Sequence, residues 1–167
     1  MQLRPYQQDA VDSAIAWMRK STEPALLGLS TGAGKSHIAA AIALWITQKT
    51  GKKVLVLQPS KELTSQNFEK YLATGEKASI FSASANSKCT RHNVVYATPK
   101  TVLNSISRFG DAFACVIVDE CHMTTPTIKQ IIAHIAAKNP MLRVIGMTAT
   151  PYRMGTGYIY QYDATGE

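Results

Sequence analysis

No apolar run in these 167 residues is long enough to cross a bilayer, and the opening Met1-Gln2-Leu3-Arg4-Pro5 lacks the layout of a secretory signal. A cytosolic chain is therefore expected. Cysteine is scarce. Cys89, Cys115 and Cys121 cannot all pair, and two of them flank an apolar run as small core or site-edge residues. Cys89 and His92 are spaced like half a metal site, but no partner pair accompanies them, which argues against zinc. Acidic residues are outnumbered, 11 against 18 lysines and arginines, for a net charge of +7. That balance favours a polyanionic partner or, more simply, solubility. The cations are spread along the chain apart from a group at Lys49, Lys52 and Lys53. Internal repeats and low-complexity segments are also missing. One domain's length of chain remains, 46% hydrophobic, enough for a proper core and too apolar for disorder.

The densest signal runs from Ala25 to Lys49. Ala25-Leu26-Leu27-Gly28-Leu29 reads as a short strand buried on both faces. Ser30-Thr31-Gly32-Ala33-Gly34-Lys35-Ser36 follows, and Ile38, Ala41, Ile42 and Trp45 then recur at helical spacing. A strand, a glycine-rich turn ending in Gly-Lys-Ser and a helix form the arrangement that cradles phosphate. Gly32 and Gly34 can adopt positive φ, so successive N–H groups, those of Thr31 and Ala33 included, turn inward around an anion. The helix behind adds the positive end of its dipole. Lys35 would reach the β- and γ-phosphates, and the Ser36 hydroxyl would ligate Mg²⁺. The usual pattern begins with a glycine where this chain has Leu29, so a strand–turn–helix link with an accidental Gly-Lys-Ser is the plainer alternative.

Along the rest of the chain, strands and helices alternate. Pro5 to Arg19 patterns as an amphipathic helix with Tyr6, Ala10, Ala14, Trp17 and Met18 on one side. Strands are expected at 53–57, more weakly at 78–81, then at 94–97, 114–118 and 143–147. Ser60, Thr98 and Thr125 stand where helices should begin, the last two followed by proline, and Thr50-Gly51 marks a helix end. Such alternation predicts an α/β fold, a doubly wound, mainly parallel sheet with helices on both faces. Ligands bind such sheets beyond the carboxyl ends of the strands. The polar clusters Thr31–Ser36, Pro59–Lys61, Thr98–Lys100, Asp119–His122 and Thr148–Thr150 should therefore share one rim.

Asp119-Glu120 ends an apolar strand and supplies the second half of a nucleotide site. Asp119 would hold Mg²⁺ opposite Ser36, and Glu120 would deprotonate the water that attacks the γ-phosphate. Adjacent acids at a buried strand end repel each other, so a cation accounts for them better than packing does. A solvated Asp-Glu turn is the bland alternative.

Ser-Thr-Gly-Ala-Gly-Lys-Ser, Asp-Glu-Cys-His and Thr-Ala-Thr-Pro, in that order behind Leu3-Arg4-Pro5-Tyr6-Gln7, resemble the first RecA-like domain of a superfamily 2 DExH-type helicase or translocase, a P-loop NTPase. The opening, the Val-Asp-Glu-Cys-His strand and Gly-Met-Thr-Ala-Thr-Pro-Tyr-Arg are most similar to RadD-type DNA-repair ATPases. The resemblance implies an adenine-recognition segment at 1–24, an ATP-binding core at 25–150, and a tail at 151–167 leading toward a second RecA-like domain. It implies that Gln7 reads adenine while Arg4 and Tyr6 clamp or stack on it, although Tyr6 also fits plain packing under the first helix. Gln58-Pro59-Ser60-Lys61 and Ala97-Thr98-Pro99-Lys100 resemble strand-gripping motifs that touch phosphate and read no base, with Pro59, Ser60, Lys61, Thr98, Pro99 and Lys100 as the contacts. Ser60 and Thr98 are ordinary caps as well. His122, Thr148 and Thr150 resemble a relay coupling nucleotide state to strand grip, with the Thr148 strand lying between the phosphate-loop and Asp-Glu strands.

The implied cofactors are ATP and Mg²⁺. The implied partners are nucleic acid, DNA more than RNA, the second RecA-like domain with its arginine finger, and DNA-repair proteins. The sequence ends at Glu167 with no room for that second domain, so an isolated first motor domain with weak ATP turnover is expected. Rival readings are a restriction-enzyme motor, an RNA helicase domain, or a non-catalytic docking module switched by nucleotide. Tyr158-Ile159-Tyr160-Gln161-Tyr162 would stack bases, cover a sheet edge or open the linker.

Overall fold

The computed structural model describes residues 2–30, 34–83, 85–119 and 125–149, together with the backbone of Tyr158–Tyr162. The strands are β1 (Ala25–Leu29), β2 (Lys53–Leu57), β3 (Ser79–Ser82), β4 (Ser87–Lys88), β5 (Val94–Ala97), β6 (Phe113–Val118), β7 (Arg143–Thr148) and β8 (Tyr158–Tyr162). The helices are α1 (Pro5–Lys20), α2 (Lys35–Thr50), α3 (Lys61–Leu72), α4 (Pro99–Asn104) and α5 (Pro126–Lys138). One sheet takes the order β4-β3-β5-β2-β6-β7-β1-β8, and every pairing is parallel except the two-residue β4 against β3. This is the expected α/β fold. Among the described residues no helix is long and apolar enough to cross a membrane.

The apolar runs behave as strands covered on both sides because successive side chains point to opposite faces. Leu27, Val56, Tyr96, Ile117 and Met147 pack toward α1, α2 and α3, while Leu55, Leu57, Val95, Val116 and Val118 pack toward α4 and α5. Each such fully buried aliphatic side chain contributes roughly 1.5–3 kcal/mol relative to exposure.

The inward face of α1 differs from its sequence pattern. Gln7 and Val11 are buried with Ala10, Ala14 and Met18, whereas Tyr6 and Trp17 are only half-buried. Trp17 keeps its indole N–H near the surface, donating to the Glu23 carbonyl at 2.8 Å. In α2 the apolar surface wraps further round than one stripe: Ala39, Ala40, Ala43 and Ile46 are buried beside Ile38 and Ile42, because α1 covers the side turned away from the sheet. Gly51 ends α2 at φ 69°, a left-handed cap. Ser60 caps α3 as read, its Oγ accepting from the Leu63 amide at 3.2 Å. Thr98 precedes α4 as expected but does not cap it, since its hydroxyl bonds the Thr101 hydroxyl at 2.8 Å instead.

The stretch 158–162 is a strand. It adds in parallel to β1 and covers that edge of the sheet. Cys115 is buried, and desolvation pushes its thiol well above the usual range. Cys89 is half-exposed, and the Ser79 hydroxyl and the Arg91 amide against its sulfur hold its thiol below the usual range.

Candidate functional site

Parallel pairing turns the carboxyl ends of β1, β2, β5, β6 and β7 to one side. The rim is tied together by backbone. The Asp119 amide donates to the Leu57 carbonyl at 3.0 Å, and the Gln58 amide donates to the Ala97 carbonyl at 2.9 Å. Segments distant in sequence are thereby held at the height of a single strand tip.

On this rim Lys35 Nζ lies 3.7 Å from Asp119 Oδ1. The lysine opens α2 just after β1, and the aspartate follows β6, two strands away across β7. Both are largely enclosed, at 15% and 8% exposure, where a charge is weakly screened and strongly attracted to an opposite one. The separation is that of an ion pair rather than a tight hydrogen bond. Ser36 is half-buried beside Lys35 in the first turn of α2. Thr148 ends β7 at 5% exposure, in register with Gly28 of β1, and β7 lies between β1 and β6 as the resemblance implied. Thr31, Gly32, Ala33, Glu120, His122 and Thr150 lie outside the described residues.

Gly34 enters α2 at φ +76°, where a side chain is strained. A Cβ there would also collide with Nε2 of Gln7. Gln7 is 6% exposed, and its Oε1 accepts from the Arg4 amide at 2.9 Å, closing the first turn of α1. The opening segment and the end of the phosphate loop thus meet through one carboxamide. Arg4 is exposed, and Tyr6 packs partly against the core, which supports the packing role for its ring.

Gly34→Ala should therefore lose about 1–2 kcal/mol to left-handed strain, plus about 1 kcal/mol as Gln7 swings away from Arg4. Gly51→Ala is the control, with φ +69° and no atom within 4 Å of the added Cβ, so only strain applies. Urea unfolding should rank Gly34→Ala below Gly51→Ala; equal losses would mean that the Gln7 contact carries nothing.

Beside Asp119 the rim opens into a cleft of about 370 Å³. Pro59, Thr98, Pro99 and Lys100 line it together with Asp119, whereas Ser60 and Lys61 stand just outside at the start of α3. The hydroxyls at the start of α5 and the partner of Gln58 escaped the sequence reading. Thr125 and Thr127 add hydroxyls to the same cleft, a role that Thr125-Pro126 signalled only as a helix start. Gln58 is buried on its floor, its Oε1 accepting from Asn67 Nδ2 of α3 at 3.0 Å. Nothing in the local pattern marks that pair.

Among the described residues the rim offers Lys35, the Asp119 carboxylate and several hydroxyls around a helix N-terminus, with Lys100 in the adjoining cleft, a set suited to a polyphosphate with a hard divalent ion. Among the described residues no cluster of three or more acidic, histidine or cysteine side chains could hold a metal ion.

Comparison with known proteins agrees with this geometry. The ATP-dependent DNA helicase fml1 of Schizosaccharomyces pombe is 28% identical over 163 residues, covering 89% of this chain and 19% of that protein. The putative ATP-dependent RNA helicase MJ1505 of Methanocaldococcus jannaschii is 30% identical over 164 residues, covering 90% and 20% respectively. The chain thus spans about a fifth of the length of these curated relatives. Among solved structures, the UvsW helicase of bacteriophage T4 superposes with a TM-score of 0.74 at 25% identity, covering 95% of this chain and 56% of that one. With the family match running over residues 1–153, the chain belongs to the family described as Type III restriction enzyme, res subunit, a helicase-type family in which its relatives include superfamily 2 DNA helicases.

Proposed function

We propose that this chain is the ATP-binding first motor domain of a DNA-dependent ATPase of the DExH helicase or translocase type, similar to RadD-type proteins and acting in DNA repair. The observation that carries the reading is the approach of Lys35 Nζ to Asp119 Oδ1 on a shared rim. In this reading residues 1–24 recognise adenine through Gln7, residues 25–150 form the core, and residues 151–167 lead to a second RecA-like domain that completes the site.

Lys35 leaves Asp119 for the β- and γ-phosphates, and backbone N–H groups of the loop neutralise the remaining charge. Ser36 and Asp119 are hard-oxygen donors that fit Mg²⁺, which when bound withdraws charge from the phosphates. Glu120 takes a proton from water as its oxygen attacks the γ-phosphorus, and the bond to the bridging oxygen breaks to release ADP. Thr148, Thr150 and His122 relay the change to the strand-gripping rim.

That grip uses Pro59, Ser60, Lys61, Thr98, Pro99 and Lys100, and a backbone-only contact set is sequence-tolerant and salt-sensitive. Ser60 serves two roles at once, since its Oγ accepts from Leu63 and still carries a proton to donate to a phosphate. Ser60→Asp separates them. A carboxylate caps a helix as well as serine does, so stability should stay within about 0.5 kcal/mol. Single-strand affinity should fall, because the new charge faces phosphate. Unchanged affinity would leave Ser60 as a cap alone.

DNA is favoured over RNA because fml1 and UvsW are named DNA helicases, although MJ1505 is named an RNA helicase. The family description also keeps a restriction-enzyme motor as the second reading. The deciding measurement is ATP turnover with single-stranded DNA, with RNA of the same sequence and with neither, the second domain supplied. Stimulation by DNA above RNA is expected. Turnover indifferent to both polymers would overturn the motor reading.

A further inference from the structure

We infer that the face of the fold opposite the nucleotide rim holds a docking cleft for an acidic peptide segment carrying one large hydrophobic side chain. The cleft has a volume of about 350 Å³ and lies at the amino ends of the strands, where Ala114 starts into β6 and Arg143 opens β7. The nucleotide rim is at the carboxyl ends of the same strands, roughly 17–20 Å away. An occupant of the cleft therefore leaves the ATP site and the strand-gripping rim uncovered.

Two properties of the lining identify the occupant. Its apolar part is formed by half-buried Trp45 and by Met141, which at 62% exposure is the one large hydrophobic side chain left open among the described residues. Its rim carries Arg19, Lys49 and Lys52, all exposed, with Arg143 between them and no carboxylate in the lining. Arg143 braces the walls, its Nε donating to the Met18 carbonyl at 2.9 Å and its guanidinium to the Met141 carbonyl at 2.7 Å. Among the described residues no ion pair engages the other three cations. Arg19 and Lys49 lie in the last turns of α1 and α2, where a cation suits the helix dipole. That accounts for charge at those helix ends, but not for a tryptophan and an open methionine between them.

An apolar pocket ringed by cations that no described carboxylate pairs with, Lys52 Nζ meeting only the Asp111 carbonyl at 3.4 Å, matches a hydrophobic anchor flanked by carboxylates. A nucleic-acid strand fits less well. The Arg19 guanidinium lies over the Trp45 ring, 5.6 Å from its centroid. The apolar walls left for an occupant are the separate side chains Met18, Ile46 and Met141 around a concavity, which suits one inserted side chain better than stacked bases. The inference does not depend on whether the chain hydrolyses ATP.

The test uses a fluorescein-labelled peptide of aspartates and glutamates around a single phenylalanine, followed by anisotropy. Saturable, salt-sensitive binding is expected. It should weaken about tenfold in Lys49→Glu/Lys52→Glu, and by a similar factor in Met141→Ser or when the peptide's phenylalanine is replaced by serine. These residues are exposed and lie outside the nucleotide machinery, so binding of a fluorescent ATP analogue should be unchanged and doubles as the folding control. No saturable binding, or binding indifferent to all three changes, overturns the inference. So does a single-stranded oligonucleotide whose affinity falls in Lys49→Glu/Lys52→Glu while that of the peptide does not, which would assign the cleft to nucleic acid.

Discussion

ATP turnover of the Lys35→Ala protein is expected to be about 10²–10³-fold below that of the parent. Among the described residues the ammonium at this position is the one paired with the rim carboxylate, 3.7 Å from Asp119, and it is carried at the start of α2 where the helix N–H groups also converge. In the proposed role, removing it would take positive charge away from the γ-phosphate as negative charge develops there, in a partly enclosed site where water replaces it poorly. Affinity for ATP should fall together with turnover, because in the proposed role the same charge would hold the ground-state phosphates. The substitution also strips a cation from a carboxylate that is only 8% exposed, so a modest loss of melting temperature is expected without nucleotide. Lys35→Arg should not rescue, since a planar guanidinium cannot take the place of a compact ammonium beside Ser36. Phosphate release and fluorescent-nucleotide binding, measured side by side, decide the matter. Turnover within threefold of the parent would remove Lys35 from the mechanism.

Glu120→Gln is expected to have an effect of comparable size and a different signature. Loss of a positioned general base costs about 10²–10⁴ in the chemical step. The glutamine is nearly isosteric and neutral, so ATP binding should hold or tighten as repulsion of the triphosphate is relieved. The pairing of the two variants is informative. A drop in both binding and turnover at Lys35, with a drop in turnover alone at Glu120, describes an enzyme. If Glu120→Gln leaves turnover untouched in the presence of the second domain, the chain is a nucleotide-switched docking module instead.

The elements were legible because their signals are local. Val54–Leu57 and Val116–Val118 are continuous apolar runs, and such runs become strands covered on both faces. Prolines at 5, 99 and 126 stand at the first turns of α1, α4 and α5, where a missing N–H costs nothing. Gln7 was harder. Its pattern position gives no hint that it is buried, and only Gly34, arriving from another element without a side chain, makes room for its amide. Thr98 stood at a capping position, yet a neighbouring hydroxyl, Thr101, competed for its oxygen. The Gln58–Asn67 bond joins a strand tip to a helix turn, a contact that periodicity does not report. The tyrosine-rich tail, read three ways from its residues, became an edge strand because β1 had an open side to pair with.

The amino-acid order alone pointed to the residues suited to phosphate chemistry and to the strand ends that carry them, since apolar runs, glycines and caps are short-range properties of the chain. Which of those ends become neighbours was decided only by the packed sheet. Inserting β6 and β7 between β1 and β2 brings Lys35 to Asp119, and a strand order is the sum of many weak long-range contacts that no local pattern contains. The cleft at the opposite end has the same origin. Trp45, Lys52, Met141 and Arg143 come from four separate stretches, and their common surface exists only once the helices have closed over the sheet.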